Sequence, residues 1–320
     1  MKQLQLLGDR RILLAILVLV TAAVMSFLSP YFLHVDNLLS MTQYGAVIGL
    51  LALGQAFVIL GGGGGIDLSV GAMLSFSGVF MGLLVEGTGL NPWIAGIVTL
   101  AFGALLGLVN GLLIAKVGLL PLIATLATMF LYGSLANVVT GGKQFGGFDV
   151  AGFSSLGQSA VLGIPVQVLF VTLPAFLIAI WAMPRTRFGQ RLYEIGSSDR
   201  AASLVGVSLA RQRVRLYVIS GMLAALGAII TNSWLLTARP SAGTGLELQA
   251  ITIAVLGGLD IFGGRGHLSG VLLGLLLVIV VNNGLQLAGV GNSIQVGILG
   301  AILILSVLLN NLVTRQRASV

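Results

Sequence analysis

The 320-residue chain has no cysteine and only two histidines, His34 and His267. The first absence excludes disulfides, thiolate metal sites and a thiol nucleophile. Two histidines so far apart in sequence do not read as a metal motif. Charge is scarce as well: Asp, Glu, Lys and Arg make up 8% of residues, against about 25% in soluble domains. Such a chain cannot coat a water-facing surface, which excludes an ordinary cytosolic enzyme, a disordered chain and a secreted disulfide scaffold. Catalytic patterns are missing too. There is no paired-carboxylate constellation, no His-Glu-x-x-His and no nucleophile elbow. The only Gly-Lys pair, Gly142–Lys143, is followed by Gln144 rather than Ser or Thr, so no phosphate-binding loop of the Walker type is present.

What is present is apolar. Hydrophobic residues make up 57% of the chain and mean hydropathy is +1.07. Stretches free of Asp, Glu, Lys and Arg cover 12–35, 37–66, 68–85, 87–115, 117–142, 150–184, 216–238 and 266–314. A membrane-spanning helix needs about 20 mostly apolar residues. On that ruler the chain is an all-α integral membrane protein of about ten spans, near 12–28, 43–60, 69–86, 93–115, 119–139, 162–182, 214–236, 247–262, 268–287 and 293–312. The first is read as a retained span, because bulky residues at 29–32 make no signal-peptide cleavage site. The whole of 1–320 forms one transmembrane domain.

The net charge of +7 lies at the ends of apolar runs, without interleaved aromatics. That distribution sets membrane orientation and does not fit nucleic acid. Ten spans put both termini on one side. With that side cytoplasmic, only Lys143 and Arg239 of the sixteen basic residues lie outside, as the excess of cytoplasmic Lys and Arg demands.

Two connections are long. Residues 140–161, with Phe145, Phe148 and Phe153, form an outer segment that reads either as a re-entrant piece or as a plain loop. Residues 184–213 form a cytoplasmic loop containing a short helix. Ser197 or Ser198 caps its free N–H groups, Asp199 sits in its first turn and Gly206 ends it. So short a helix does not stand alone in water. It has no aromatic face for lipid, so docking on a soluble partner is favoured over lying on the bilayer.

Glycine accounts for 46 residues, about twice the usual ~7%. The spacings Gly103/Gly107/Gly111 and Gly270/Gly274 read as close helix–helix contacts. Five consecutive glycines, 61–65, cannot sustain a helix at a cost of ~1 kcal/mol each, so the second span ends there. Asp67 then stands where it can accept from the N–H of Ser69 or Val70. Gly65, Asp67, Ser69 and Gly71 are read either as a cap or as a cytoplasmic gate. Asp260 and Arg265 flank a related glycine-rich turn and can reach each other. Embedded polar residues, namely Asn110, Thr125, Thr128, Asn137, Asn232, Asn282, Asn283 and Gln286, either bond helix to helix or line a pathway. Asn282, Asn283 and Gln286 share one face.

Residues 65–72 (GIDLSVGA) resemble the signature of permease subunits of bacterial ribose-type sugar ABC importers. Residues 194–207 (EIGSSDRAASLVGV) resemble that family's ATPase-docking loop, and 242–251 and 255–266 resemble its later blocks. The similarity runs in order over essentially the whole chain. It departs in the length of the five-glycine run and at Gln249, where an acidic residue is common. The resemblance implies a type II-like ABC importer permease in the bacterial inner membrane, paired with a second copy or a paralogue. It also implies an ABC ATPase that binds ATP and Mg²⁺, a periplasmic sugar-binding protein, and no cofactor in this chain. The cargo would be ribose, rhamnose, galactose, xylose or an autoinducer sugar. Glu194, Gly196, Ser198, Asp199, Ala201, Ala202 and Gly206 would form the docking element. An amino-acid or nucleoside permease of the same fold is the alternative. An ion-driven secondary transporter is a more distant one, since it calls for acids or histidines mid-bundle.

With no native cysteine, topology can be mapped directly. Ser198→Cys should label only from the cytoplasmic side with a membrane-impermeant thiol reagent, and Ser241→Cys only from outside. Labelling of Ser198→Cys from outside would invert the orientation.

Overall fold

The computed structural model describes residues 10–291, 294–305 and 308. Lys2, Arg315 and Arg317, and the end of the expected tenth span, lie outside the described residues. The described chain is mostly helical: α1 (Arg10–Leu28), α2 (Val35–Leu60), α3 (Val70–Gly82), α4 (Pro92–Ala115), α5 (Pro121–Thr140), α6 (Phe153–Gln158), α7 (Leu173–Arg185), α8 (Arg187–Ser197), α9 (Asp199–Leu204), α10 (Leu209–Leu235), α11 (Leu246–Leu256), α12 (Leu268–Leu287) and α13 (Ile294–Leu305). Single π-turns extend α3 to Gly87 and start α7 at Val168. A two-residue hairpin, β1 (Ala160–Val161) with β2 (Ile164–Pro165), precedes α7.

Eight of these helices, with their π-turn extensions, are long and apolar enough to cross a membrane, and α11 and α13 are shorter apolar helices. The eight correspond in order to expected spans, and α11 and α13 lie where the eighth and tenth spans are expected but are shorter among the described residues. α2 begins at Val35, ahead of the expected 43, and α11 stops at Leu256 rather than running to 262. Leu259 N–H closes back on Ala254 O and Gly258 N–H on Val255 O, with Gly258 left-handed (φ +91°). This Schellman closure satisfies the last carbonyls and ends the helix. Eleven residues rise about 16 Å, roughly half the hydrocarbon core.

α2 is the central helix. Every residue from Gly45 to Leu60 is buried, as expected of a helix apolar on all sides. α10 packs beside it, and also against α3 and, most extensively, α4. The predicted glycine spacings account for that last contact. A methyl group placed on Gly107 would lie 2.1 Å from the Tyr217 carbonyl oxygen, and one on Gly103 would lie 2.4 Å from Ala225 Cβ. The two backbones meet where side chains are missing. Gly270 and Gly274 do the same for α12, against Gly257 and Ile253. Exposed apolar residues line the outer faces of several helices, including Leu19 and Phe27 of α1, Ile97 of α4, Ile123 and Phe130 of α5 and Ile178 of α7, where lipid would cover them.

The 140–161 segment is folded rather than a plain loop. Phe148 and Phe153 are fully buried, Phe145 bridges to Ala238, and the Gly157 N–H donates to Ser233 Oγ at 2.8 Å. α6 thus seats on the C-terminal end of α10.

Gly107→Ala should impair folding in the membrane, at about 1–3 kcal/mol of overpacking or more. Gly133→Ala, where a methyl meets nothing within 4 Å, should be neutral or stabilising. Thermal melting of the detergent-purified chain compares the two; equal melting temperatures would refute the close α4–α10 contact.

Candidate functional site

Three sites emerge, two near one end of the bundle and one near the other. The first is the turn joining α2 to α3. α2 ends at Leu60, and Gly62, Gly63 and Gly64 follow with φ of +68°, +63° and +70°. Three consecutive left-handed residues are accessible to glycine and costly for anything else. The turn delivers Asp67 into the interior, where it is 0% exposed.

Asp67 makes the expected capping contact with the Ser69 N–H at the start of α3, and it does so from a fully buried position where α10 also reaches it. Its Oδ1 accepts from Ser69 N–H (3.0 Å) and Ser69 Oγ (2.6 Å), and its Oδ2 accepts from Ser220 Oγ of α10 (3.0 Å). Asn110 of α4 donates to Ser69 Oγ at 2.7 Å. The Gln55 amide of α2 brackets the Asp67 main chain, accepting from its N–H (3.3 Å) and donating to its carbonyl (3.0 Å). Thr125 of α5 donates to Ile66 O at 3.2 Å. Five helices meet on one short segment. Burial raises the Asp67 pKa, opposed by the hydrogen bonds from Ser69 and Ser220. Gly71 packs beside this hub, 2.3 Å from Gly243 O as measured from a placed methyl, and Gly65 packs under Val58 O at 2.5 Å.

The second site is the α8–α9 element. The short helix forms as its signals predict. Ser198 Oγ accepts from Ala201 N–H (3.2 Å). Val207 N–H closes on Ala202 O, Gly206 N–H closes on Ser203 O, and Gly206 is left-handed (φ +81°). The longer α8 ahead of it is an additional helix within the expected loop. Amphipathic, with Leu192 and Ile195 buried, it has the apolar spacing that could have revealed it. Glu194, Ser198, Ala201 and Gly206 are exposed, and Ala202 is buried. Gly196 faces the bundle: a methyl there would lie 2.0 Å from Leu60 O and 2.3 Å from Gly264 N. Asp199 forms an ion pair with Arg213 of α10, whose guanidinium also lies against Gly63. An open groove of about 480 Å³ runs between Tyr193, Glu194, Ser198, Ala201 and Val205. Beside it Leu204 and Val205 stand 81% and 74% exposed.

The Asp260–Arg265 contact is made by backbone, not by charge. The Asp260 N–H donates to Arg265 O at 3.1 Å, and the Asp260 carboxylate accepts from Phe262 N–H at 3.0 Å.

The third site lies at the opposite end of α2. A cavity of about 490 Å³ is lined by residues that include Asn37, Tyr44, Trp234, Gln249, Asn282, Asn283 and Gln286. The polar face expected on α12 does converge there, joined by Asn37, Tyr44, Trp234 and Gln249, which had not been singled out as lining residues. Asn110, Thr128 and Asn137 are not brought to it. Asn110 serves the Asp67 hub, Thr128 donates to Ala124 O (3.1 Å), and Asn137 to Gly133 O (2.8 Å). Ser220 and Gln55 were equally visible as polar residues inside apolar runs.

A family model described as branched-chain amino acid transport system / permease component matches residues 37–307. The ribose import permease protein of Bacillus subtilis (strain 168) is 41% identical over 90% of this chain and 88% of its own. That of Escherichia coli (strain K12) is 36% identical over 95% and 94%. The autoinducer 2 import system permease protein of Yersinia enterocolitica is 35% identical over 86% and 83%. No solved structure matches the chain.

The raised pKa of Asp67 carries a sign. A carboxyl with a higher pKa folded than unfolded stabilises the fold fully below the ordinary value of 3.8 and loses that contribution as pH rises through the folded value. The melting temperature should therefore fall as pH climbs above about 4, and Asp67→Asn should flatten the slope. Asp67→Ala should cost about 1–3 kcal/mol for each donor left unpaired. Identical slopes in wild type and Asp67→Asn would refute a carboxyl perturbed by burial.

Proposed function

The chain belongs to the branched-chain amino acid transport system / permease component family, and from that membership we infer that it is the transmembrane permease subunit of an ABC importer for a monosaccharide. It is multi-pass and makes no covalent bond itself. The names of the relatives, which import ribose or autoinducer 2, favour a sugar cargo over an amino acid. The reading includes ten spans in a bacterial inner membrane, both termini cytoplasmic, with the α8–α9 side facing the cytoplasm. It includes four partners: an ABC ATPase that holds ATP and Mg²⁺, a periplasmic sugar-binding protein, a second permease copy or paralogue, and the bilayer.

The observation that carries the reading is the attachment of α9. Its surface is exposed and apolar at Leu204 and Val205, as a partner-facing helix requires. Its Asp199 grips Arg213 near the start of α10. α10 then passes Ser220 to Asp67 and reaches the cavity at Trp234. From Arg213 to Trp234 the helix rises roughly 32 Å. A push on α9 is thereby delivered to a helix that touches both the hub and the cavity. Alternating access needs two packings of similar energy and a partner that binds them unequally. Closure of the ATPases on ATP supplies that inequality through α9. Residues 184–213 act as the docking element, and the glycine turn with Gly65, Asp67, Ser69 and Gly71 acts as the hinge that lets α3 and α10 shift against α2.

Ala201→Trp should leave the chain inserted and ATP hydrolysis by the partner running, while uptake falls at least about tenfold, equivalent to ~1.4 kcal/mol of lost coupling. Reconstituted vesicles with labelled sugar measure both. Unchanged uptake removes α9 from the docking role, and sugar accumulation by the permease reconstituted alone overturns the ABC reading.

A further inference from the structure

We propose that the β1–β2 hairpin ahead of α7 is a lipid anchor. Its apolar tip, Val161, Leu162 and Ile164, inserts into the headgroup–acyl boundary of the leaflet at the α9-distal end and fixes the depth at which α7 enters the membrane. The proposal needs only a multi-pass chain and does not depend on the cargo.

The tip is built at a backbone cost. The strands pair Ala160 with Pro165 and Val161 with Ile164, which leaves Leu162 and Gly163 as a two-residue loop. Their φ angles are +51° and +78°. Positive φ at both central residues is the mark of a type I′ hairpin turn, for which Asn-Gly and Gly-Gly are the favoured pairs. Asn or Gly would take the first position at little cost, whereas a bulky leucine there is strained. Strain kept at an exposed position points to use of the side chain itself. Leu162 is 98% exposed, with Val161 at 42% and Ile164 at 44% beside it.

Position and composition select the occupant. β2 touches α2 and leads directly into the π-turn that starts α7 at Val168. Two strand residues lift the tip by about 7 Å, which keeps it within the polar region of one leaflet, roughly 5–8 Å thick. Phe170 and Leu177 stand exposed along α7, so the tip continues a lipid-facing surface. Residues 150–184 contain no Asp, Glu, Lys or Arg, so the hairpin offers a soluble protein no charged rim to set register. A soluble partner would also leave three apolar side chains in water between encounters. Lipid covers them at all times, and their burial offsets the strained turn. The base of the hairpin is fixed to the bundle: Val166 N–H donates to Ser159 O at 2.9 Å, and Gln167 is fully buried.

The test places a nitroxide on Val161→Cys, the sole cysteine of that variant, in vesicles of phosphatidylethanolamine and phosphatidylglycerol. Collisions with oxygen report lipid, and collisions with a water-soluble nickel chelate report water. Labels on Thr88→Cys, in the exposed turn after α3, and on Ile97→Cys, on the exposed face of α4, give the aqueous and lipid references. The oxygen-to-nickel ratio at Val161→Cys should approach that of Ile97→Cys and exceed that of Thr88→Cys several-fold. Adding Leu162→Asn, which suits the turn but removes the apolar tip, should shift the inserted-to-exposed population about tenfold toward water, the worth of one buried leucine. A ratio at Val161→Cys equal to that of Thr88→Cys overturns the proposal, as does no shift on adding Leu162→Asn. Loss of both kinds of collision only when the sugar-binding protein is added would make the tip a protein-docking knob, and dipolar broadening between labels would make it a contact between two copies. Either result also overturns the anchor.

Discussion

A single carboxyl buried without a cation organises this bundle. Asp67 is fully enclosed and is held by hydroxyls and a main-chain N–H rather than by an opposite charge. Removing a carboxylate from water is costly unless every lone pair is served, so Asp67 fixes where its donors stand. Ser69 must begin α3 beside it, Ser220 must face it from α10, and Asn110 must reach Ser69 from α4. The glycine turn is the corollary. Only a chain able to take three left-handed residues in succession can leave α2 and place Asp67 at the meeting point of five helices.

That hub gives α10 its mechanical character. The helix lies against α4 at backbone distance, because Gly103, Gly107 and Gly221 leave no side chains between them. Without a hydrophobic drive between helices in lipid, such contacts depend on packing and on interhelical hydrogen bonds. The close fit makes α10 and α4 move together. Arg213 near one end and Trp234 at the other put the α9 contact and the polar cavity on the same helix.

Much of this was legible in the residue order. Ten apolar stretches, the break at the glycine run and the capped helix at 199–204 follow from hydropathy, glycine propensity and local capping, which act over a few residues. The polar face of Asn282, Asn283 and Gln286 follows from helical spacing. The allocation of embedded polar residues was not legible. Asn110 and Asn282 are the same residue type in similar runs, yet one serves a buried hub and the other a cavity. Asp260 and Arg265 sit at a suitable spacing for an ion pair, yet their turn joins them through main-chain groups. The difference depends on which neighbour each helix rotates toward, and local sequence does not encode that rotation.

The residue sequence by itself determined the class of molecule: scarce charge and long apolar runs leave a helical membrane protein. It also determined where helices must stop, because glycine and capping chemistry act locally. Tertiary structure alone decided that the Asp67 cap also takes a hydroxyl from Ser220 of α10, that Gly196 faces the bundle while Ala201 faces outward, and that Asn37, Tyr44 and Gln249 join Asn282 around one cavity. Those outcomes depend on contacts between segments up to 246 residues apart, made when helices with featureless apolar surfaces pack at the few places where glycines let backbones touch.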